Sequence, residues 1–274
     1  MLLVGVMAGV SACRATSADV PTSTANHSQR NASQSPGQSP TLSTVPKQGA
    51  VFGNGWKLAP TKYKDVNHKW KYKIRGIYPQ VINSHDPRAL GFNQEVKRGI
   101  AEQFSYATAP DPKDFQISES LFLGEDPLEM ADFDYEIMLA TEELVSVKFN
   151  FEAYSRGAAH PVHGYFTVNY EAMSGRGLKL GDIFKPDSDY LTVISRSCAE
   201  KIGVEATKGS PWADASSPKE KNFEHWNVTK EGVVINFDQC VVWGCAGGTL
   251  TVIIPYSILR EYLNPSGAVF QLAT

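Results

Sequence analysis

Two histidines stand three apart in His160-Pro161-Val162-His163. On a helix that spacing would put both imidazoles on one side, as in part of a zinc site. Pro161 and the loop-like residues before it argue against a helix, and no third ligand is near in sequence, so no metal is expected. His160 is expected to close its loop by bonding backbone groups. Gly157 is expected to supply a positive φ or a close backbone approach. No Gly-x-Ser-x-Gly elbow is present to present a nucleophile. Asp132 with Asp134, or Glu142 with Glu143, could serve a glycosidase only across a cleft at about 5–9.5 Å. The first two read as the solvent face of a strand and the second two as a hairpin turn. On these grounds no catalytic residue and no cofactor is expected, and the chain is not expected to be an enzyme.

The cysteines offer a different chemistry. Cys240 and Cys245 enclose four residues, and in an oxidising compartment so short a loop can close as a disulfide. Cys198 falls on the apolar stripe of a helix and reads as a buried thiol, although its pairing with either of the other two stays open. Trp243 sits inside the ring. It either stands at the surface, where a rigid aromatic suits protein or sugar recognition, or packs under the sheet.

Cys13 ends Val10-Ser11-Ala12-Cys13, after an apolar run from Met1 the length of a signal-peptide core. An aliphatic residue, two small residues and a cysteine resemble the bacterial lipobox, so residues 1–12 are expected to be a signal peptide and Cys13 a lipidation site. Residues 13–50 are rich in Ser, Thr, Pro, Gln and Asn and poor in large apolar side chains. Such a segment cannot offset its chain entropy by burial, and reads as a disordered tether reaching roughly 30–35 Å.

The positioned part starts at about Val51, where aromatics and aliphatics become dense. The 274-residue chain carries 26 Lys+Arg against 29 Asp+Glu, and no basic stretch is dense enough to track phosphates, so a nucleic-acid partner is not expected. Trp70, Tyr72 and Ile74 alternate with Lys71, Lys73 and Arg75, a half-buried strand that Tyr78-Pro79 should end. Asp86-Pro87 should start a helix carrying Phe92, Val96, Ile100 and Phe104 on one face. Strands are expected at 133–139, 145–153 and 165–171, with Ser146, Lys148, Asn150 and Glu152 alternating with the apolar residues of the second of these. Asp187 or Ser188 should cap a helix bearing Leu191, Ile194, Cys198 and Ile202, and Gly203 should stop it. Further strands are expected at 223–229, 233–237 and 249–254, with Pro255 opening a short last helix. Runs of strands of antiparallel type, with few helices between them, predict an α+β fold: an antiparallel β-sheet with helices packed on one face. The body divides into 51–140 and 141–264, and residues 265–274 read as a tail.

The motif order resembles the RsiV-like family of bacterial extracytoplasmic domains. Gly157-Ala158-Ala159-His160-Pro161 is similar to the family's Gly-Gly-Ala-His-Pro loop, with Ala158 where a second glycine is usual. Leu178-Lys179-Leu180-Gly181-Asp182-Ile183-Phe184, Gly232-Val233-Val234-Ile235-Asn236-Phe237 and Ile254-Pro255-Tyr256-Ser257-Ile258-Leu259 follow in the family's order. That family includes the lysozyme-sensing domain of an anti-sigma factor, a domain found beside peptidoglycan deacetylases and a secreted mycobacterial antigen. The resemblance implies an extracytoplasmic binding module, its partner a lysozyme or a peptidoglycan fragment, and the lipobox-like segment adds a lipid anchor as its one membrane contact. Tyr154, Arg156, Gly157, His160, Pro161, His163 and Trp243 are the candidate binding residues. The metal-binding signals of a deacetylase domain are not seen, so deacetylation is not expected. The alternatives are a hydrolase of envelope polysaccharide and a purely structural lipoprotein. A deep cleft with convergent carboxylates would favour the hydrolase, and a shallow surface with protruding loops would favour binding.

Overall fold

A computed structural model describes residues 55–108, 127–203 and 213–273; the signal segment, Cys13 and the tether lie outside them. The fold is α+β, with helices packed against a mixed β-sheet. Six strands form the larger sheet in chain order: β1 (Leu58–Asn67), β2 (Tyr72–Val81), β3 (Glu129–Ala140), β4 (Leu144–Ser155), β5 (Val162–Glu171) and β6 (Arg176–Gly177). Neighbours are antiparallel except β2 and β3, which run parallel over Tyr72–Gly76 and Glu129–Phe133. A parallel pair needs a crossover, and α1 (Pro87–Gln103), followed by the short α2 (Ser105–Thr108), lies within it. A second, antiparallel sheet holds β7 (Trp226–Val228), β8 (Gly232–Phe237) and β9 (Leu250–Pro255). It packs with α3 (Tyr190–Ile202), α4 (Tyr256–Leu259) and α5 (Ala268–Leu272) around a core of its own.

α1 forms where the sequence places it. Asp86 accepts a bond from the Arg88 N–H, and Pro87 stands at the first turn. Phe92, Val96, Ile100 and Phe104 are all buried against the larger sheet. Asn93 adds a polar lock: its side chain accepts from Val81 N at 2.8 Å and donates to Val81 O at 3.0 Å. Under the helix the aromatics interlock, Phe149 stacking on Phe166 with centroids 4.4 Å apart.

Several expectations are corrected. β1 carries only a weak period-two pattern in LAPTKYKDVN and escaped the sequence reading. β2 does not end at Pro79. Past Gly76 it has, among the described residues, a ladder neighbour only in β1, and a one-sided strand tolerates a residue without an N–H. Trp70 lies in the turn before β2, not on the strand face. Asp189, rather than Asp187 or Ser188, stands at the start of α3, and it makes no side-chain cap bond. Gly203 does end that helix, at φ +83°. Phe223 lies in a 3₁₀ turn, not in β7. The proposed division at 140/141 falls inside the β3–β4 hairpin of one sheet, so it separates nothing. The supposed tail contains α5, whose Val269 is buried in the second core.

The largest correction concerns the outer face of β4. Ser146 and Lys148, at the polar positions of the alternation, are buried, and Ser146 lies under the second sheet, bonded to Asn227 and Val228 of β7. Leu139 and Leu144 belong to the second core, whereas Phe133 and Tyr135 belong to the first. The register shift between Ile137 and Leu139 accompanies that change of side.

Candidate functional site

The loop between β4 and β5 holds four of the expected binding residues, Arg156, Gly157, His160 and Pro161, with Tyr154 at the end of β4 and His163 at the start of β5. Tyr154 and Arg156 are half-buried, Gly157 and His160 are exposed, Pro161 is half-buried, and His163 is exposed. Gly157 has φ +92°, a backbone state that a side chain would strain. His160 does not close the loop as expected. It is exposed, and among the described residues its Nδ1 meets only the neighbouring Pro161 carbonyl, at 2.9 Å. His160→Ala should therefore change stability by less than about 0.5 kcal/mol, as exposed sites usually do. Urea unfolding checks this; a loss above about 1.5 kcal/mol would restore the loop-closing role. His163 Nδ1 lies 3.7 Å from Glu152 Oε2, an exposed pair that contributes little.

Gln239 brings this loop beside the cysteine ring. Its side-chain oxygen accepts from His163 N at 3.0 Å, and its amide donates to Cys245 O at 2.9 Å. Cys240 and Cys245 are joined, with Cα atoms 4.2 Å apart. Cys198 is unpaired and buried, and burial pushes its thiol up to about 12. Trp243 is neither a protruding ring nor fully covered. It packs on the second core, and its Nε1 donates to Gly248 O at 2.9 Å. Asp132 pairs with Arg75, Asp134 accepts from Asn150, and Glu142-Glu143 lie in the β3–β4 turn, so the carboxylates first considered face no common cleft.

Asp238 sits next to this ring and holds two groups. Its Oδ1 accepts from Tyr165 N at 2.8 Å and lies 3.4 Å from His225 Nδ1. Burial alone would favour the neutral imidazole. The Asp238 carboxylate, by hydrogen bond and charge, together with Glu224, outweighs it and raises the His225 pKa above its ordinary 6.5. The folded state then holds the proton more tightly than the unfolded chain. The stabilisation is complete below the unfolded value and is lost as pH rises through the raised folded value. Wild type should exceed His225→Gln in unfolding free energy at about pH 5.5, and the gap should narrow by about pH 8.5. A gap that does not change with pH would remove the charged pair from the account.

A groove that sequence reasoning missed runs along the edge of β5. One hollow of about 460 Å³ is lined by α1 at Glu95 and Arg98, by Thr167–Asn169, by Leu178–Leu180 and by Glu220, Lys221, Glu224 and Trp226. A second, of about 320 Å³, continues past Thr167 and Glu224 to Glu102 and His225. Arg98 pairs with Glu95 and, at 2.6 Å, with Glu102. The Glu95 hydrogen bond, working against some burial and aided by Glu102, holds the guanidinium above its usual value. Glu220 and Glu224 are exposed and make no ion pair among the described residues. The groove carries carboxylates on its lining but is open rather than deep. Among the described residues no three His, Cys, Asp or Glu side chains gather as a metal site. Nothing in the sequence announced the groove, since its walls lie more than 100 residues apart and no shared motif links them.

Comparison with known proteins adds four findings. The chain is 27% identical over 134 residues to the peptidoglycan-N-acetylmuramic acid deacetylase PdaC of Bacillus subtilis strain 168. That stretch is 48% of this chain and 28% of the deacetylase. The expectation that the chain is not an enzyme is overturned by this relationship, which runs to an enzyme. In fold, the chain is similar to a DUF3298 family member from Bacteroides fragilis NCTC 9343, with TM-score 0.53 and 16% identity over 83% of this chain and 99% of that one. It is also similar to a DUF3298 family protein from Pseudomonas aeruginosa PAO1, with TM-score 0.50 and 17% identity over 76% and 93%. Residues 181–257, from the turn before α3 through the second sheet to α4, match the model of the family described as protein of unknown function, DUF3298.

Proposed function

We propose that this chain acts outside the cell on the polysaccharide of the cell wall, as a hydrolase of that polymer, with the groove along β5 as the place where the glycan lies. The observation that carries the reading is the 134-residue relationship to a peptidoglycan deacetylase. The lining of the groove supports it. Carboxylates are the side chains that do general acid–base work on sugars, and Glu220 and Glu224 are the two in the groove not committed to an ion pair among the described residues. Purified protein incubated with insoluble peptidoglycan should release acetate or new reducing ends. Glu220→Gln or Glu224→Gln should slow that release by about a hundredfold or more, the usual share of one acid or base. Unchanged muropeptide masses after prolonged incubation with wild type would overturn the reading.

Lysozyme binding by an RsiV-like domain is the second reading. It is supported by the ordered motifs from Gly157 to Leu259 and by the exposed Gly157 and His160 beside the cysteine ring. A lysozyme titration of wild type against Tyr154→Ala and His163→Ala tests it, and equal affinity for all three would end it. For either reading we place the protein at the envelope, held by a lipid on Cys13, on the strength of Val10-Ser11-Ala12-Cys13. Stable anchoring needs more than one acyl chain. Cys13→Ser should move the protein from membrane to soluble fractions, and unchanged partitioning would reject the anchor.

A further inference from the structure

Strand β5 is paired with β4 along its whole length, but its other edge is covered only in places. In an antiparallel strand the N–H and C=O of one residue point to the same side, and the side alternates from residue to residue. The odd-numbered residues of β5 point outward. His163 N donates to Gln239 Oε1 at 3.0 Å, and His163 O accepts from Gln239 N at 3.1 Å. Tyr165 N donates to Asp238 Oδ1 at 2.8 Å. Asn169 O accepts from Leu178 N at 2.8 Å. Thr167 lies between these with the same parity. Among the described residues nothing bonds its outward N–H or C=O, and β6 reaches only Tyr170 and Glu171. Thr167 is half-buried and borders both hollows of the groove.

An open strand edge ordinarily invites another strand. This one is closed at both ends, by Asp238-Gln239 and by Leu178. The gap from Tyr165 to Asn169 is roughly 13 Å at ~3.3 Å per residue. That length suits one or two sugar rings better than a strand, which would have to continue past both closures. A donor and an acceptor fixed by the sheet are the complement of an amide group flanked by hydroxyls. The carboxylates of Glu220 and Glu224 across the groove are suited to the hydroxyls.

We infer that the Thr167 edge is a subsite for the acetamido group of an N-acetylated amino sugar. Thr167 N–H donates to the acetyl oxygen, and Thr167 C=O accepts from a sugar hydroxyl or amide N–H. This rests on the polysaccharide reading above and names its substrate class. A sugar carrying a free amine would turn an ammonium donor toward the Thr167 N–H and leave that N–H without an acceptor, and sites of this kind discriminate strongly.

The test is an NMR titration of wild-type protein with chitotetraose and with the same tetramer fully de-N-acetylated. Chitotetraose should shift the Thr167 amide resonance and slow its hydrogen exchange at least tenfold at saturation. The de-N-acetylated tetramer should bind at least tenfold more weakly. Thr167→Pro removes the N–H at an edge position, where proline is tolerated. It should weaken chitotetraose binding at least tenfold with an unchanged melting temperature; if that variant fails to fold, the wild-type exchange measurement decides. Equal affinity for the two tetramers, or shifts confined to residues 156–163, would overturn the subsite. So would a shift of Thr167 by trialanine but not by chitotetraose, which would assign the edge to peptide. Binding at Thr167 without peptidoglycan turnover would keep the subsite and sink the hydrolase; turnover without any effect at Thr167 would do the reverse.

Discussion

Phe104→Ala lowers the unfolding free energy by about 3–5 kcal/mol, the usual cost of emptying a buried phenylalanine site. Phe104 is the last residue of the α1 stripe and is 1% exposed. Its ring stacks on Phe133 with centroids 5.5 Å apart and meets Phe151 and Phe166 edge-on at 6.0 and 5.9 Å. Three strands therefore lose contacts at once, and a cavity walled by rigid rings collapses poorly. For a body of this size the melting temperature should fall by roughly 6–20 °C. Phe104→Leu keeps much of the volume and should cost about 1.5 kcal/mol or less. The effect reaches the groove as well, since α1 is one wall and β5 the floor. Urea unfolding of the three proteins is the measurement. An alanine variant within about 1 kcal/mol of wild type would mean that α1 is not held by this cluster.

Ser146→Ala is expected to cost about 2–4 kcal/mol, far more than a surface serine would. The Ser146 hydroxyl donates to Asn169 Oδ1 at 2.7 Å and accepts from Asn227 Nδ2 at 2.9 Å and from Val228 N at 3.0 Å. One donor and two acceptor positions are thus all used. Asn169 donates on to Trp226 O at 2.8 Å, and Asn236 donates to Asn227 Oδ1 at 3.0 Å. These side chains are buried between the two sheets. Alanine leaves an N–H, an amide and a carbonyl oxygen without partners, each costing about 1–3 kcal/mol unless water enters. Because the network ties β4 and β5 to β7, the variant should also loosen the second sheet. Hydrogen exchange at Val228 reports that directly, and unchanged protection there would contradict the role given to Ser146.

That serine marks where sequence reading reaches its limit. Ser146 and Lys148 stand at the polar positions of a clean alternation, and the alternation is real: Val145, Val147 and Phe149 do face the first core. Period two says which residues share a face. It cannot say what covers the other face, because the covering sheet comes from residues 226–255, about 80 positions later. The same limit applies to Trp243, whose neighbours decide its exposure, and to His160, whose loop leaves its ring in solvent.

Features that depend on near neighbours in the chain are legible in the residues alone. Asp86-Pro87 starts α1 and its four-residue stripe lays that helix on the sheet; Gly157 takes a left-handed backbone; Gly203 stops α3. Each follows from one residue type meeting one local geometric demand. The groove comes from long-range packing. Glu95 and Arg98 come from α1, Thr167 from β5, and Glu220 and Glu224 from the turn before β7, with no spacing to connect them. The open N–H and C=O of Thr167 are main-chain groups that every residue carries. Their availability depends on which neighbours stop short of them, and those neighbours are placed by the packing of two sheets.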